Sequence, residues 1–222
     1  MPVWAVIPLK SPESAKSRLG AALNAQQRVR LFYALARRVI DAAVHTPGIE
    51  GVTVVTASNA VADFATGLGA RCVRLESDCG TAAACTSALE KVPPHHRQRV
   101  LFVAGDIPLI SSDELSRFVA LTERSPLVAI AADRLQIGTN ALLCAPGDAI
   151  PLCFGINSFA QHLAAAARLG VAVHVVDSAP LALDIDEASD LHEWHRRLAE
   201  SGRPVDLDLK ELFATQEVVF SL

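Results

Sequence analysis

The sequence is poor in aromatic residues and carries no excess of positive charge. Phe, Trp and Tyr make up 5% of the 222 residues, and 20 Lys and Arg stand against 24 Asp and Glu, for a formal net charge of -4. A dedicated nucleic-acid binder needs a cationic field for the phosphates and aromatic surfaces on which bases stack. The composition therefore argues against nucleic acid as a partner. Any anion that binds must meet a local positive site.

Paired cysteines and long apolar runs are also missing. Because the cysteines are odd in number and form no CxxC pair, a disulfide framework and a structural zinc site are both disfavoured. Asp106 interrupts the best apolar stretch well before the ~20 residues that cross a membrane. The N-terminus has no basic segment ahead of an apolar one, unlike a secretory signal. We therefore expect a cytoplasmic protein without a membrane partner. The five cysteines are Cys72, Cys79, Cys85, Cys144 and Cys153.

Short apolar runs alternate with amphipathic segments along the chain. The runs are compact and many are β-branched, which predicts buried strands. They lie at Val3–Pro8, Val52–Thr56, Cys72–Leu75, Val100–Ala104, Leu127–Ala132, Asn140–Ala145, Val171–Val176 and Leu181–Ile185.

The segments between these runs have helical periodicity and capping signals. Asn24 with Gln27, and Ser111 with Glu114, have the spacing of a capping box, and Ser58 is typical of a helix start. Helices are predicted from Asn24 to Pro47, from Ser58 to about Gly67, over 81–91, from Ser111 to about Arg124, over 158–169 and over 187–201.

This order of strands and helices predicts one α/β domain spanning residues 1–222, with a mostly parallel sheet covered on both faces. A chain of this length suits one domain better than two. Ligands of such sheets bind beyond the carboxyl ends of the strands. The segments after Pro8, Leu75, Ala104 and Ile185 are therefore where we expect the chemistry.

Three cations follow the first predicted strand. Lys10, Lys16 and Arg18 lie within nine positions of an otherwise acidic protein. A nucleoside triphosphate needs such charge together with hydrogen-bond donors. The segment is neither a Walker loop nor a GxGxxG loop, because its one glycine is Gly20. A solvated basic loop is the alternative, and spacing alone slightly favours it.

Acidic residues end two other predicted strands. Asp106 follows an apolar run, where a carboxylate is well placed to hold Mg²⁺ against nucleotide phosphates. Asp184 and Asp186 are two positions apart, so an extended chain presents both on one face. Such a pair repels itself unless a metal or a basic group lies between the carboxylates. The alternatives are a turn aspartate at 106 and a helix cap at 186.

Small polar residues precede the predicted helix over 158–169. Gly155 and Ser158 offer free N–H groups and a hydroxyl at its start, which suits a phosphate or carboxylate, and Thr139 lies in the earlier segment Ile137-Gly138-Thr139-Asn140. Taken alone, this arrangement is also ordinary helix capping.

Together the segments closely resemble the phospho-hydroxyacid guanylyltransferases of coenzyme F-420 (deazaflavin) biosynthesis, also called 2-phospho-L-lactate guanylyltransferases. The resemblance covers nearly the whole chain. Each motif is modestly specific, and their shared order makes the set strongly so. In chain order the motifs are IPLK (7–10), AKSRL (15–19), AGDIP (104–108), GTNALL (138–143), FGINSFAQH (154–162) and DID (184–186).

The resemblance implies a three-layer, nucleotidyltransferase-type (Rossmann-like) fold. It also implies transfer of GMP from GTP to a small phospho-acid, with release of pyrophosphate. The acid is 2-phospho-L-lactate, phosphoenolpyruvate or 3-phospho-D-glycerate, depending on the family member, and the sequence leaves the choice among them open.

Matching motifs also carry over residue roles. The resemblance assigns Mg²⁺ to Asp106, Asp184 and Asp186, and the phospho-acid to Thr139, Gly155 and Ser158. The resemblance also implies that Lys16 and Arg18 lie near the GTP phosphates and, with Asp106, form the catalytic set. The full nucleotide-binding set is Pro8, Leu9, Lys16, Arg18, Gly80 and Thr81.

One segment departs from the family pattern. Members commonly carry Gly-Leu-Asn after the third strand, whereas this chain has Asp78-Cys79-Gly80-Thr81-Ala82-Ala83, which keeps the glycine and lacks the asparagine. The choice of guanine is therefore open. Two alternatives also stay open: a related nucleotidyltransferase acting on a sugar or molybdopterin phosphate, and a non-catalytic nucleotide-binding module. A homodimer and direct handover of a labile product to the next transferase are further hypotheses.

Overall fold

Seven strands form one sheet in the computed structural model, which describes residues 2–121 and 126–201. The strands are β1 (Val3–Pro8), β2 (Ile49–Thr56), β3 (Arg71–Arg74), β4 (Val100–Val103), β5 (Leu127–Ala132), β6 (Thr139–Ala145) and β7 (Ala172–Val175). Their order is β3-β2-β1-β4-β6-β5-β7. Strand β6 runs antiparallel to both its neighbours, and the other pairings are parallel. The predicted mostly parallel sheet is confirmed.

Helices cover both faces of this sheet. One core packs β1 and β4 against α1, α2 and α4, and a second packs the opposite face against α3 and α5. The predicted three-layer architecture is confirmed. The helices are α1 (Ala25–Val44), α2 (Asn59–Gly67), α3 (Thr81–Lys91), α4 (Ser112–Ala120), α5 (Ser158–Leu169), α6 (Ala179–Ala182) and α7 (Ala188–Ser201), with short 3-10 turns at Ser17–Ala21 and Pro94–His96.

One of the two predicted capping boxes is complete. Asn24 Oδ1 accepts from the Gln27 amide, and Gln27 Oε1 accepts from the Asn24 amide, both at 2.9 Å. At α4, Ser111 Oγ accepts from the Glu114 amide, but the Glu114 carboxylate instead accepts from Ser178 Oγ at 2.6 Å. Glu114 thus ties α4 to the start of α6. Helix α4 ends at Ala120, and part of its predicted end, 122–125, lies outside the described residues.

The predicted strand Leu181–Ile185 is wrong. Ser178 Oγ accepts from the Leu181 amide at 3.2 Å and so caps a single helical turn, α6. Pro180 suits that turn because the first helical amides need no intrahelical acceptor. The inward-outward alternation nevertheless survives beyond the helix, since Leu183 and Ile185 are buried without a sheet ladder.

A third apolar cluster holds this non-strand segment in place. Leu183 and Ile185 pack with Trp194 of α7 and with Leu19 of the 3-10 turn that follows β1. This packing joins the basic segment after β1 to the acidic segment before α7. Among the described helices, none is long and apolar enough to cross a membrane.

Candidate functional site

Three carboxylates meet at one edge of the sheet. Asp106, Asp184 and Asp186 each place one oxygen within 4.8 Å of the other two. The convergence predicted for these residues is therefore observed. Their role as metal ligands stays a prediction.

The sheet brings these carboxylates together through backbone contacts. Asp106 follows β4, and its carbonyl accepts from the Ile185 amide at 3.2 Å, which fixes the acidic segment beside the strand end. A Cβ at Gly105 would lie 2.2 Å from Leu9 Cδ2. A side chain at 105 would therefore require Leu9 to move, and the glycine lets Leu9 pack closely against the turn.

Asn140 supports the same cluster from β6. Because β6 is antiparallel to β4, its first residues lie at the edge where β4 ends. The buried Asn140 Nδ2 donates to the Leu181 carbonyl at 3.0 Å and to Asp184 Oδ1 at 3.2 Å. Sequence reasoning assigned no role to Asn140. Its position next to Thr139 was the available signal, because neighbouring strand residues face opposite sides of a sheet.

Lys16 lies directly against the carboxylates. Its ammonium donates to Asp106 and, at 3.2 Å, to Asp186, and the side chain is only 6% exposed. Burial alone would lower the pKa of Lys16, but Asp106 and Asp186 outweigh it and raise that pKa, so the ammonium stays charged. Its left-handed backbone (φ 59°) is strained by about 1–2 kcal/mol in a non-glycine residue. The fold thus holds a cation at this point at a conformational cost.

The three carboxylates of the cluster outnumber its one ammonium group, that of Lys16. Burial, followed by the charge of Asp106, raises the pKa of Asp184 to about 7, while the hydrogen bond from Asn140 opposes the rise. An added cation beside Asp184 would therefore favour its ionised form. Three hard oxygen donors of this kind fit Mg²⁺. The residues present therefore suit the metal that the sequence motifs imply.

A cleft of about 370 Å³ opens next to the carboxylates. Its walls include the segment after β1 and the turn at Gly105. Arg18 is largely exposed and lies 3.7 Å from Glu187, an ion pair that solvent screens strongly. The cleft brings together most of the predicted catalytic and nucleotide-binding residues. They are Pro8, Leu9, Lys16, Arg18, Thr81 and Asp106, and the predicted metal ligand Asp186 lies with them.

A smaller hollow of about 60 Å³ continues from this cleft. It shares Pro8, Leu9 and Thr81 with the larger one and adds Asp78 and Gly80. Gly80 has φ 83°, a backbone conformation that glycine adopts without strain. Its amide donates to Asp78 Oδ1 at 2.9 Å. The predicted nucleotide residue Gly80 thus lies beside the others. The segment that departs from the family pattern lines part of this hollow, through Asp78, Gly80 and Thr81.

The predicted phospho-acid residues form a second, neutral cluster on the α5 face. Ser158 Oγ donates to Thr139 Oγ1 at 3.2 Å, and the Gly155 carbonyl accepts from the Ser158 amide at 3.2 Å. His162 Nδ1 lies 3.0 Å from Thr139 Oγ1. Thr139, Ser158 and His162 are buried, whereas Gly155 is exposed. Sequence reasoning placed His162 in a motif but gave it no role.

Comparison with known proteins points the same way. Residues 3–197 match the family model described as "Guanylyl transferase CofC like". A phosphoenolpyruvate guanylyltransferase of Rubrobacter xylanophilus is 37% identical over 202 residues, which cover 91% of this chain and 96% of that protein. A 3-phospho-D-glycerate guanylyltransferase of Colwellia psychrerythraea is 31% identical over 210 residues, covering 95% of this chain and 97% of that protein.

Solved structures agree on the fold. A nucleotidyl transferase from Methanothermobacter thermautotrophicus superposes with a TM-score of 0.65 at 19% identity, covering 90% of this chain and 99% of that one. A 4-diphosphocytidyl-2C-methyl-D-erythritol synthase from Anaerococcus prevotii gives 0.62 at 12% identity, covering 89% and 96%. The three-layer fold is therefore of the nucleotidyltransferase type, and the chain belongs to the CofC-like guanylyltransferase family.

Proposed function

We propose that this protein transfers GMP from GTP to a small phospho-acid and releases pyrophosphate, with Mg²⁺ as cofactor. The observation that carries the proposal is the meeting of Asp106, Asp184 and Asp186 with Lys16 beside the cleft. Family membership supports guanylyl transfer as the reaction. Coenzyme F-420 biosynthesis in the cytoplasm is the proposed setting, with a homodimer and handover of the product to the next transferase as further parts of the proposal.

The reaction needs no general base from the protein. A phosphate oxygen of the acid, already ionised near neutral pH, forms a bond to the α-phosphorus of GTP. The bond from that phosphorus to the bridging oxygen of the β-phosphate breaks, and its electron pair leaves with pyrophosphate. The main obstacle is repulsion between two anions. This explains why the site is built from charged and hydrogen-bonding groups.

The side chains divide this work. Asp106, Asp184 and Asp186 would hold Mg²⁺, which when bound neutralises phosphate charge and stabilises the leaving group. Lys16 is buried at the cleft and adds a fixed positive charge beside the carboxylates. Arg18 is exposed and reaches the phosphates by leaving its screened partner Glu187. Pro8, Leu9, Gly80 and Thr81 line the space for the nucleoside.

The acceptor is held at the neutral cluster. Thr139 of β6 and Ser158 at the start of α5 supply a pair of hydroxyl groups, and Gly155 lies just ahead of the helix, an arrangement that suits a phosphate or carboxylate. The relatives are named for phosphoenolpyruvate and for 3-phospho-D-glycerate. These two acids are the first candidates for this chain, and 2-phospho-L-lactate is the third.

The test combines pyrophosphate release with mass spectrometry of the products. Purified protein receives Mg²⁺ and GTP with each of the three acids, and with glucose 1-phosphate as a sugar-phosphate comparison. We expect pyrophosphate and a GMP-capped acid from at least one phospho-acid, with loss of both on chelation by EDTA. ATP and CTP in place of GTP test the base choice left open by Asp78–Ala83. Folded protein that releases pyrophosphate with none of the three acids would refute the proposal.

A further inference from the structure

We infer that His162 is a positioning residue that sets the direction of the hydroxyl protons of Thr139 and Ser158, so that one of those protons is presented to the bound phospho-acid. The inference rests on the proposed function and deepens it. It is carried by hydrogen bonds on both nitrogens of the imidazole ring.

The backbone of Cys153 decides which nitrogen of His162 carries the proton. The Cys153 amide donates to His162 Nε2 at 2.8 Å. An amide N–H needs an acceptor, so Nε2 presents its lone pair, and the single proton of the neutral ring is on Nδ1. His162 Nδ1 therefore donates to Thr139 Oγ1, which lies 3.0 Å away.

A count of protons then gives the direction of the next bond. Ser158 Oγ also donates to Thr139 Oγ1, so the two lone pairs of Thr139 are used and its own proton points away from both donors. If the two hydroxyls exchange roles, Thr139 donates to Ser158 and the proton of Ser158 is the one left over. In either case one hydroxyl proton remains. Within the part of the chain that the structure describes, no hydrogen bond uses it.

In the other tautomer of His162, the hydroxyl pair of Thr139 and Ser158 would have no proton left to donate to a ligand. With the proton on Nε2, the ring would face the Cys153 N–H with a second N–H, and Thr139 would have to donate into Nδ1. The hydroxyl pair would then offer a phosphate no donor. The buried ring, edge-on to Phe154 at 5.0 Å, has a pKa lowered to about 4 by desolvation, so it stays neutral at physiological pH.

The hydroxyl pair is linked through the chain to the residue that supports the carboxylates. Thr139 adjoins Asn140, whose amide holds Asp184. Ser158 is the first residue of α5, whose N-cap Asn157 makes no side-chain capping bond. A phospho-acid oxygen at this point would meet a hydroxyl donor and the positive end of the helix together.

Two substitutions of similar size separate the two nitrogens of His162. In H162N, the amide NH₂ takes the place of Nδ1–H and keeps the donor to Thr139. In H162Q, the amide oxygen takes the place of Nε2 and keeps the acceptor for Cys153, while the donor to Thr139 is lost. We expect H162Q to raise the KM for the phospho-acid about tenfold or more, as loss of a hydrogen bond to a charged group does. The KM for GTP should stay within about twofold, and H162N should stay close to wild type.

A background without the Thr139 hydroxyl tests whether His162 acts through it. In T139V, H162Q should raise the acid KM no further, since two residues acting as one unit are not additive. Equal effects of H162N and H162Q, or a full effect of H162Q in the T139V background, would overturn the inference. Thermal unfolding of each variant shows that it is folded.

The wild-type measurement separates the two hypotheses. Absence of turnover with every acid refutes the proposed function by itself. The ¹⁵N shifts of His162, assigned by their loss in H162Q, report the tautomer without any turnover. A protonated Nε2 would overturn the inference alone, and an unprotonated Nε2 with a protonated Nδ1 supports it.

Discussion

The first two residues of β6 support two clusters of opposite electrical character. Asn140 faces the carboxylates and Lys16, where charges are concentrated and partly buried. Thr139 faces Ser158 and His162, where every group is neutral. One pair of neighbouring strand residues therefore serves a charged site on one face of the sheet and an uncharged one on the other.

Burial penalises charge in both clusters, and the responses differ. At Asp184 it raises the pKa to about 7, so an added cation favours the ionised form there. At His162 it lowers the pKa to about 4, so the ring stays neutral and directs protons instead of attracting charge. The comparison suggests a division of labour for two anionic substrates: the charged cluster lowers their repulsion, and the neutral cluster orients one of them without adding charge.

The largest expected effect comes from the charged cluster. D106N and D184N should each lower turnover about a hundredfold or more, because they remove an ionised ligand from the site that stabilises the transferred phosphate. Pyrophosphate release at saturating substrates measures the loss. D63N, at an exposed aspartate of α2, is the matched control and should retain wild-type turnover. Normal turnover in both D106N and D184N would remove the carboxylates from the mechanism.

Lys16 should show two opposite effects in one variant. K16M removes the ammonium that contacts Asp106 and Asp186. We expect turnover to fall about tenfold or more, since a fixed positive charge beside the phosphates is lost. We also expect the free protein to bind Mn²⁺ more tightly, because the ammonium no longer competes with the metal for Asp106 and Asp186. Electron paramagnetic resonance titration measures the affinity, and weaker binding in K16M would contradict this account.

Most of the charged cluster could be predicted from the sequence, for a physical reason. Asp106 ends an apolar run, and the carboxyl ends of parallel strands meet at one edge, so its place follows from local pattern and topology. Asp184 and Asp186 were predicted to share a face because of a strand that the structure replaces by α6 and an irregular segment. The prediction of a shared face held because burial of Leu183 and Ile185 preserves the alternation.

The remaining features depend on contacts between distant parts of the chain. The antiparallel direction of β6 decides that Thr139 and Asn140 lie at the active edge, and no local pattern gives a strand its direction. The bond from Cys153 to His162 fixes a tautomer across nine positions of irregular chain and helix. The Lys16 contact with Asp106 spans 90 positions. Such pairings follow from tertiary packing, which is why sequence reasoning assigned no role to Asn140 or His162, and placed Thr139 and Lys16 at the site only through the family resemblance.

The two faces of β6 should be separable by substitution. N140A should raise the Mg²⁺ concentration for half-maximal activity about tenfold, as loss of a residue that orients a metal ligand does, and should leave the KM of the phospho-acid nearly unchanged. T139V should raise the KM of the phospho-acid and leave the Mg²⁺ concentration for half-maximal activity nearly unchanged. Steady-state titrations of metal and acid measure both. If either substitution shifts both quantities equally, the clusters act as one site and the comparison fails.

The smallest expected effects are opposite pH dependences of stability in the metal-free protein. In the folded protein, Asp184 has a pKa raised from 3.8 to about 7, so it binds its proton more tightly than in the unfolded chain. This contribution stabilises the folded protein at low pH and is lost as the pH rises through 7. His162 has a pKa lowered from 6.5 to about 4, so the unfolded chain takes up its proton first, and stability falls as the pH drops from about 6.5 to 4.

Thermal unfolding in EDTA from pH 4.5 to 8 separates these two contributions. Relative to wild type, D184N should gain a few degrees in Tm as the pH rises, since an amide has no charge to bury. H162N should gain relative to wild type as the pH falls, because no imidazole is left to protonate in the unfolded chain. Saturating Mg²⁺ should raise the wild-type Tm more at pH 8 than at pH 5, when Asp184 is ionised and free to bind it. Parallel curves for wild type and both variants would mean that burial shifts neither group, and the contrast between the charged and the neutral cluster would then have no electrostatic basis.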